Sequence, residues 1–158
     1  MDYQSSDNVE VALIQHQLLR CNAEANIKPS PDMGGNVEIV INLNTPKSPS
    51  ILNKNDSFSI SLQIGVIGKV KDSKDIAFNV LCEMEGSYRL INCNDNGITT
   101  KNNVNLWTSS ARQLFPLVAQ FTTDLVSKLG FKNISVPAFV PSEFLLQAKP
   151  SKKNLKKK

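Results

Sequence analysis

From Asp56 the chain reads DSFSISLQIGVIG, in which Phe58, Ile60, Leu62, Ile64 and Val66 alternate with Ser59, Ser61, Gln63 and Gly65. Period two puts the apolar side chains on one face of an extended segment and the polar ones on the other, as in a half-buried strand. The same rhythm runs through Val37, Ile39, Ile41 and Leu43 upstream and through Ile76, Phe78, Val80, Cys82 and Met84 downstream. The connections TPKSPSILNKND and KVKDSKD carry the Pro, Asn, Asp and Ser that turns favour, so these strands are expected to form an antiparallel meander. Another strand is expected from about Val9 to Ala25. Val9, Val11 and Leu13 alternate, but Ile14 and Leu18 then stand against Leu19 and Cys21 in parity, which a β-bulge would accommodate. The segment IKPSPDMGGN that follows has two prolines and two glycines; it predicts a crossover loop and not a tight hairpin. After Met84 the text EGSYRLINCND either prolongs the last strand or bends away, and Asn96-Gly97 signals a turn.

The period then changes. Ser110 and Gln113 have the spacing of a capping box, and Leu114, Leu117, Val118, Phe121, Leu125 and Leu129 recur at helical spacing up to Gly130, which suits a C-terminal cap. This predicts one long helix of about 20 residues, with a kink or a start at Pro116. FKNISVPAFVP reads as an apolar loop, and Ser142 as the cap of a short helix through Glu143, Phe144, Leu145 and Leu146. Strands followed by helices define an α+β class, a four-stranded antiparallel sheet with a long and a short helix against one face. The expected layout is a flexible N-terminus at 1–8, one domain at 9–148, and a disordered lysine-rich tail at 149–158.

Bulk composition narrows the function more than the fold. A length of 158 residues, 41% hydrophobic and 20% charged, suits one domain with a proper core. No run approaches the roughly 18 uncharged apolar residues of a membrane span. The opening MDYQSSDNVE is polar and acidic, so a signal peptide is not expected and the expectation is a cytoplasmic protein. Net charge is +4, yet six of the 18 basic residues lie in the last ten positions, and the other 12 against 14 acids leave the body at −2. A nucleic-acid face on the body is therefore not expected, and the tail is at most an unspecific electrostatic handle.

Cys21, Cys82 and Cys93 form no CxxC pair, which predicts reduced thiols and neither a disulfide framework nor a zinc knuckle. His16 is the only histidine, which removes most metal sites and the usual general base together. Gly65-Val-Ile-Gly68-Lys69 lacks the spacing of a phosphate loop and the helix that must follow one, and reads as a strand end. Glu83 and Glu85 share a strand face without a cleft around them, so no catalytic pair is expected. No catalytic residue, metal ligand or cofactor is assigned. What remains is apolar surface: Phe115, Phe121, Phe131, Phe139, Phe144, Leu145, Leu146, Ile14, Leu18 and Ile27 exceed what a small sheet and one helix hide, so self-association or open apolar grooves are expected.

The segment SSARQLFPLVAQFTTDLVSKLGF resembles the long helix of the bacterial export chaperone family SecB, whose Leu-Phe-Pro is matched by Leu114-Phe115-Pro116. NISVPAFVPSEFLL is similar to the family's proline-containing segment and final helix, IAFNVLCEMEGSYRL to its fourth strand, and VEIVINLNT to its second. The resemblance covers roughly Val9 to Leu146. It implies a subunit with a four-stranded antiparallel sheet and two helices, a homotetramer built as a dimer of dimers, and an ATP-independent chaperone that holds unfolded preproteins for the SecA motor.

By the same resemblance Leu81, Cys82, Met84 and Glu85 fall on the dimer-dimer contact and Glu83 on a SecA-contacting acid. The family's first-strand acids fall at Cys21 and Ala25 here, so those two charges are absent. Groove lining is expected from Ile39, Ile41 and Leu43 of the sheet, Phe139 of the apolar loop, and Phe144 and Leu145 of the short helix. A SecB-like chaperone dedicated to one client, such as an antitoxin, is the alternative, and a nucleic-acid-associated protein using its tail is a remote one. Neither a specific nucleic acid nor membrane insertion is expected.

Overall fold

The computed structural model describes residues 9–30, 34–48, 50–101 and 103–137. The long strands are β1 (Glu10–Ala25), β2 (Gly35–Asn44), β4 (Ser57–Val70) and β5 (Ile76–Asn92), with two-residue strands β3 (Ile51–Leu52) and β6 (Ile98–Thr99) and the helix α1 (Val104–Lys128). The four long strands form one antiparallel sheet in the order β1-β5-β4-β2, while β3 and β6 pair separately. The meander β2, β4, β5 is as expected, and β5 continues through EGSYRLIN where the sequence left two courses open. β3 and β6 were not expected, because two-residue strands leave no period to read.

β1 lies at one edge of the sheet and β2 at the other, so the segment between them crosses the end of the sheet. Asn26 and Ile27 donate to the Ala77 carbonyl as it begins, and Lys71 donates to the Gly34 carbonyl as it ends.

Register explains the double parity of β1. Leu13 faces Tyr88 and Gln15 faces Ser87; Leu18 faces Met84 and Arg20 faces Glu83. Ile14 and Leu19 are therefore the extra residues of two bulges, and each resets which parity faces the helix.

The helix-side face of the sheet holds the core. Phe58, Ile60, Leu62, Ile64 and Val66 of β4 and Phe78, Val80, Cys82, Met84, Tyr88 and Leu90 of β5 are buried against Leu106, Leu114, Phe115, Val118 and Val126 of α1. Two glycines make room for rings on this face. A Cβ on Gly68 would run into the Phe78 ring, and one on Gly86 would lie 2.7 Å from the Tyr88 ring. At both positions an aromatic side chain covers bare backbone, and any larger residue would push that ring out of the core.

The start of the helix differs from the capping-box expectation. α1 begins seven residues earlier and is capped by Asn103, whose Oδ1 accepts from the Leu106 N–H at 3.0 Å. Ser110 is buried in the helix interior, where its Oγ donates to the Leu106 carbonyl at 2.8 Å. Gln113 instead serves β1: its Oε1 accepts from Leu13 N–H at 2.8 Å and its Nε2 donates to the Val11 carbonyl at 2.7 Å. The helix runs through Pro116. The lost donor would have served the carbonyl of Arg112, a residue on the exposed side of the helix. The C-terminus is as expected, with Gly130 at φ +94 donating to the Ser127 carbonyl. The expected short helix at Ser142 lies outside the described residues.

Candidate functional site

α1 packs across β1, β5 and β4. The register continues the helix-side face onto β2 through Val37, Ile39, Ile41 and Leu43, which stand opposite Gly68, Val66, Ile64 and Leu62. Ile41 and Leu43 are half-buried against the core, whereas Val37 is 43% exposed and Ile39 36%. The apolar face of the sheet thus extends beyond the helix that covers its middle.

Beside Val37 opens a cleft of about 650 Å³. The start of β2 and Gly68 line one side of it, Pro29 and Ser30 of the crossover another, and Gly130 to Ile134 a third, with Phe78 on the lining as well. Three contacts hold the segment after the helix in this position. The Phe131 ring packs on Phe78 with centroids 4.4 Å apart. The Val136 N–H donates to Thr123 Oγ1 at 3.0 Å. A Cβ on Gly130 would meet Pro29 at 2.9 Å, so the glycine is required both by its left-handed backbone and by the crossover beside it. Helix end and crossover are locked together, and the cleft lies between them and the β2 edge.

Of the groove residues expected from sequence, the structure brings Ile39, Ile41 and Leu43 into one row; Phe139, Phe144 and Leu145 lie outside the described residues. Val37, Phe78, Phe131 and Ile134 line the cleft beside that row. The sequence marks Val37 and Phe78 only as strand residues, and Phe131 only as one of many apolar side chains in excess of the core, without a place in a groove. Cross-strand pairing of Gly68 with Phe78 was the signal available, and it needs the register to be seen.

The residues matched to the family's contacts separate by face. Cys82 and Met84 are buried under α1, at 0% and 7% exposure, while Leu81, Glu83 and Glu85 stand half-buried on the opposite face. Glu83 is already engaged there. Arg20 pairs with it at 3.3 Å, and Ser61 Oγ at 2.9 Å and Asn44 Nδ2 at 3.4 Å both donate to its Oε1. Gln17 donates to Glu85 at 3.1 Å. The rest of this face is rich in Ser, Asn and Gln side chains that bond one another, such as Asn42 to Gln63 and Ser59 with Ser87.

Two groups in the core are perturbed. Burial pushes the Cys82 thiol up from its ordinary 9.0 to about 11, against a smaller opposing effect of a hydrogen bond with Thr122. Burial also pushes the Tyr88 phenol up, and its hydroxyl donates to the Ser110 carbonyl at 2.7 Å. His16 is exposed on β1, opposite Gly86. Among the described residues no three His, Cys, Asp or Glu side chains stand together as metal ligands would, and no helix is long and apolar enough to cross a membrane.

A sheet of order β1-β5-β4-β2 under one long helix is a SecB-like fold, as the resemblance in the sequence implied. The chain is similar in structure to the SecB-like chaperone Rv1957 of Mycobacterium tuberculosis, solved in complex with a ChAD peptide from the HigA1 antitoxin Rv1956. The TM-score is 0.59 at 14% identity, over 80% of this chain and 89% of that one. A protein of unknown function from Streptococcus agalactiae also aligns, at TM-score 0.42 and 14% identity over 82% of this chain and 98% of that one. No protein-family model matches the chain, and no curated protein matches it by sequence.

Proposed function

We propose that this chain is an ATP-independent holding chaperone that binds unfolded segments of other proteins along the uncovered apolar face of β2 and the adjoining cleft. The observation that carries the reading is the row Val37, Ile39, Ile41, Leu43, which continues a buried face past the edge of its covering helix. Such a surface makes few shape demands. Each apolar contact contributes roughly 25 cal/mol per Å² buried, so varied sequences bind through many weak contacts without sharp discrimination. A cleft of about 650 Å³ has the size of a site for side chains or a short extended segment. Assembly into a homotetramer belongs to the same proposal; Ile14, Leu18 and Leu19 on the β1 edge, 46% to 56% exposed, are apolar surface that a second copy would cover.

Two client classes follow. Unfolded preproteins passed to SecA in the cytoplasm are one, and a single client such as an antitoxin is the other. The engagement of Glu83 by Arg20, Ser61 and Asn44, with only 15% of its side chain exposed, favours the dedicated client. An acid already satisfied by three partners offers little to a further basic surface. The SecB-like neighbour bound to an antitoxin peptide supports the same reading.

The test is light-scattering mass of the purified protein, alone and with an unfolded export precursor, followed by titration with SecA. A tetramer that suppresses precursor aggregation supports the chaperone reading, and SecA binding would then select export over the dedicated role. A protein that holds neither an unfolded precursor nor an antitoxin segment overturns it.

A further inference from the structure

We propose that Cys21 and Cys82 are a thiol modification site, closing reversibly into a cross-strand disulfide with the exposed Cys21 as the sulfur that meets the oxidant. The two are direct partners across β1 and β5, so their side chains leave the sheet on the same face. Residues directly opposed on antiparallel strands stand about 4.5 to 5.5 Å apart at Cα, inside the roughly 4.4 to 6.8 Å that a disulfide spans. The two thiols are near enough for Cys21 to help hold the Cys82 proton in place. The pair is asymmetric in access: Cys21 is exposed and Cys82 is fully buried. Burial also holds Cys82 in its protonated form, the less reactive one.

Reaction with a peroxide then runs in two balanced steps. The Cys21 sulfur attacks one peroxide oxygen, the O–O bond breaks, and the departing hydroxide takes the thiol proton as water, leaving a sulfenic acid. The Cys82 sulfur attacks the Cys21 sulfur, the S–O bond breaks, and hydroxide leaves with the Cys82 proton as a second water. Both sulfurs are oxidised by one electron each and the peroxide is reduced by two. A thiol reductant reverses the link by exchange.

The link would close a loop from 21 to 82 that contains the crossover, β2 and β4. It would fasten β1 to β5 beyond the second bulge, on the stretch of β1 that follows Leu19. Cys93, half-buried just past the other end of β5, takes no part and serves as an internal reference.

The experiment treats the full chain with hydrogen peroxide, unfolds it in an alkylating agent, and reads intact mass and peptide map. The expected product has lost two hydrogen masses, alkylates at Cys93 alone, and yields a peptide joining Cys21 to Cys82 that dithiothreitol separates. Cys93→Ser should give the same link, and Cys21→Ser should abolish it. Cys82→Ala, which keeps the site apolar and close in volume, should leave Cys21 to accumulate oxygen or to take up glutathione. In wild type the oxidised chain should melt at a higher temperature than the reduced one, a difference absent from Cys21→Ser. Three alkylated thiols after peroxide, oxygen added to Cys21 of wild type without the mass loss, or Cys21 joined between two chains would each overturn the proposal.

Discussion

Tyr88 shows how a single polar atom is made compatible with the core. Its ring stacks on Phe58 at 5.3 Å and covers Gly86, and its hydroxyl spans from sheet to helix to reach the Ser110 carbonyl. Tyr88→Phe keeps the ring and removes the donor, and should cost about 1 to 2 kcal/mol. Urea unfolding should show a lower midpoint with an unchanged slope. Cys82 makes a second prediction at this scale. Its thiol titrates at about 11 when folded against 9.0 when free, so between those values the unfolded chain gives up its proton first and stability falls as pH rises. The loss should reach on the order of 2 kcal/mol by the top of that window. Tyr88 adds its own loss at alkaline pH, so the informative comparison is reduced wild type against Cys82→Ala, whose decline between pH 9 and 11 should be shallower. Residue identities of this kind were only partly legible. Alternation showed that residue 82 faces inward, but nothing local says that its partner across the sheet is Cys21, or that Ser110 lies mid-helix.

Elements were legible where a period persists. Ten or more residues of alternation made β4 unmistakable, and the broken parity of β1 announced a bulge. The registers at Ile14 and Leu19 show that there are two. The start of α1 was misread because VNLW carries no distinctive period, while Ser110 and Gln113 imitate a cap. Gln113 has other work: beside the Ile14 bulge its amide supplies one acceptor and one donor to the β1 backbone, in place of ladder bonds. Gln113→Ala should leave the sheet assembled but speed amide exchange over 9–14, at a cost of about 1 to 2 kcal/mol; hydrogen exchange with mass detection would show whether the effect is so confined. The bulges also predict an asymmetry between deletions. Removing Ile14 straightens the strand and leaves every other side chain on its own face, whereas removing Gln17 reverses the faces on one side of the cut. Thermal melting should find the first close to wild type and the second several degrees lower.

For the whole molecule, the sheet and a helix on one face were readable, but the order β1-β5-β4-β2 was not, since a crossover loop does not say which edge it reaches. The same limit hid half of the cleft: Val37 is far in sequence from Phe131 and Ile134, and they meet only because the crossover and the helix end lock together at Pro29 and Gly130. If the uncovered β2 face holds clients, the double variant Val37→Asp with Ile39→Asp should weaken capture of an unfolded precursor by about tenfold or more. Its circular dichroism should be unchanged, because both side chains are already partly in water. The edge placement of β1 has a consequence in time as well as in space. The strand is made before the others, yet its partner among the described residues, β5, begins at Ile76. At the ordinary pace of a ribosome several seconds pass in which Val11, Leu13, Ile14, Leu18 and Leu19 have no neighbour to pair with. The β2–β4 hairpin can close behind them at low entropic cost, which leaves the chain, during its own synthesis, with an unpaired apolar strand of its own.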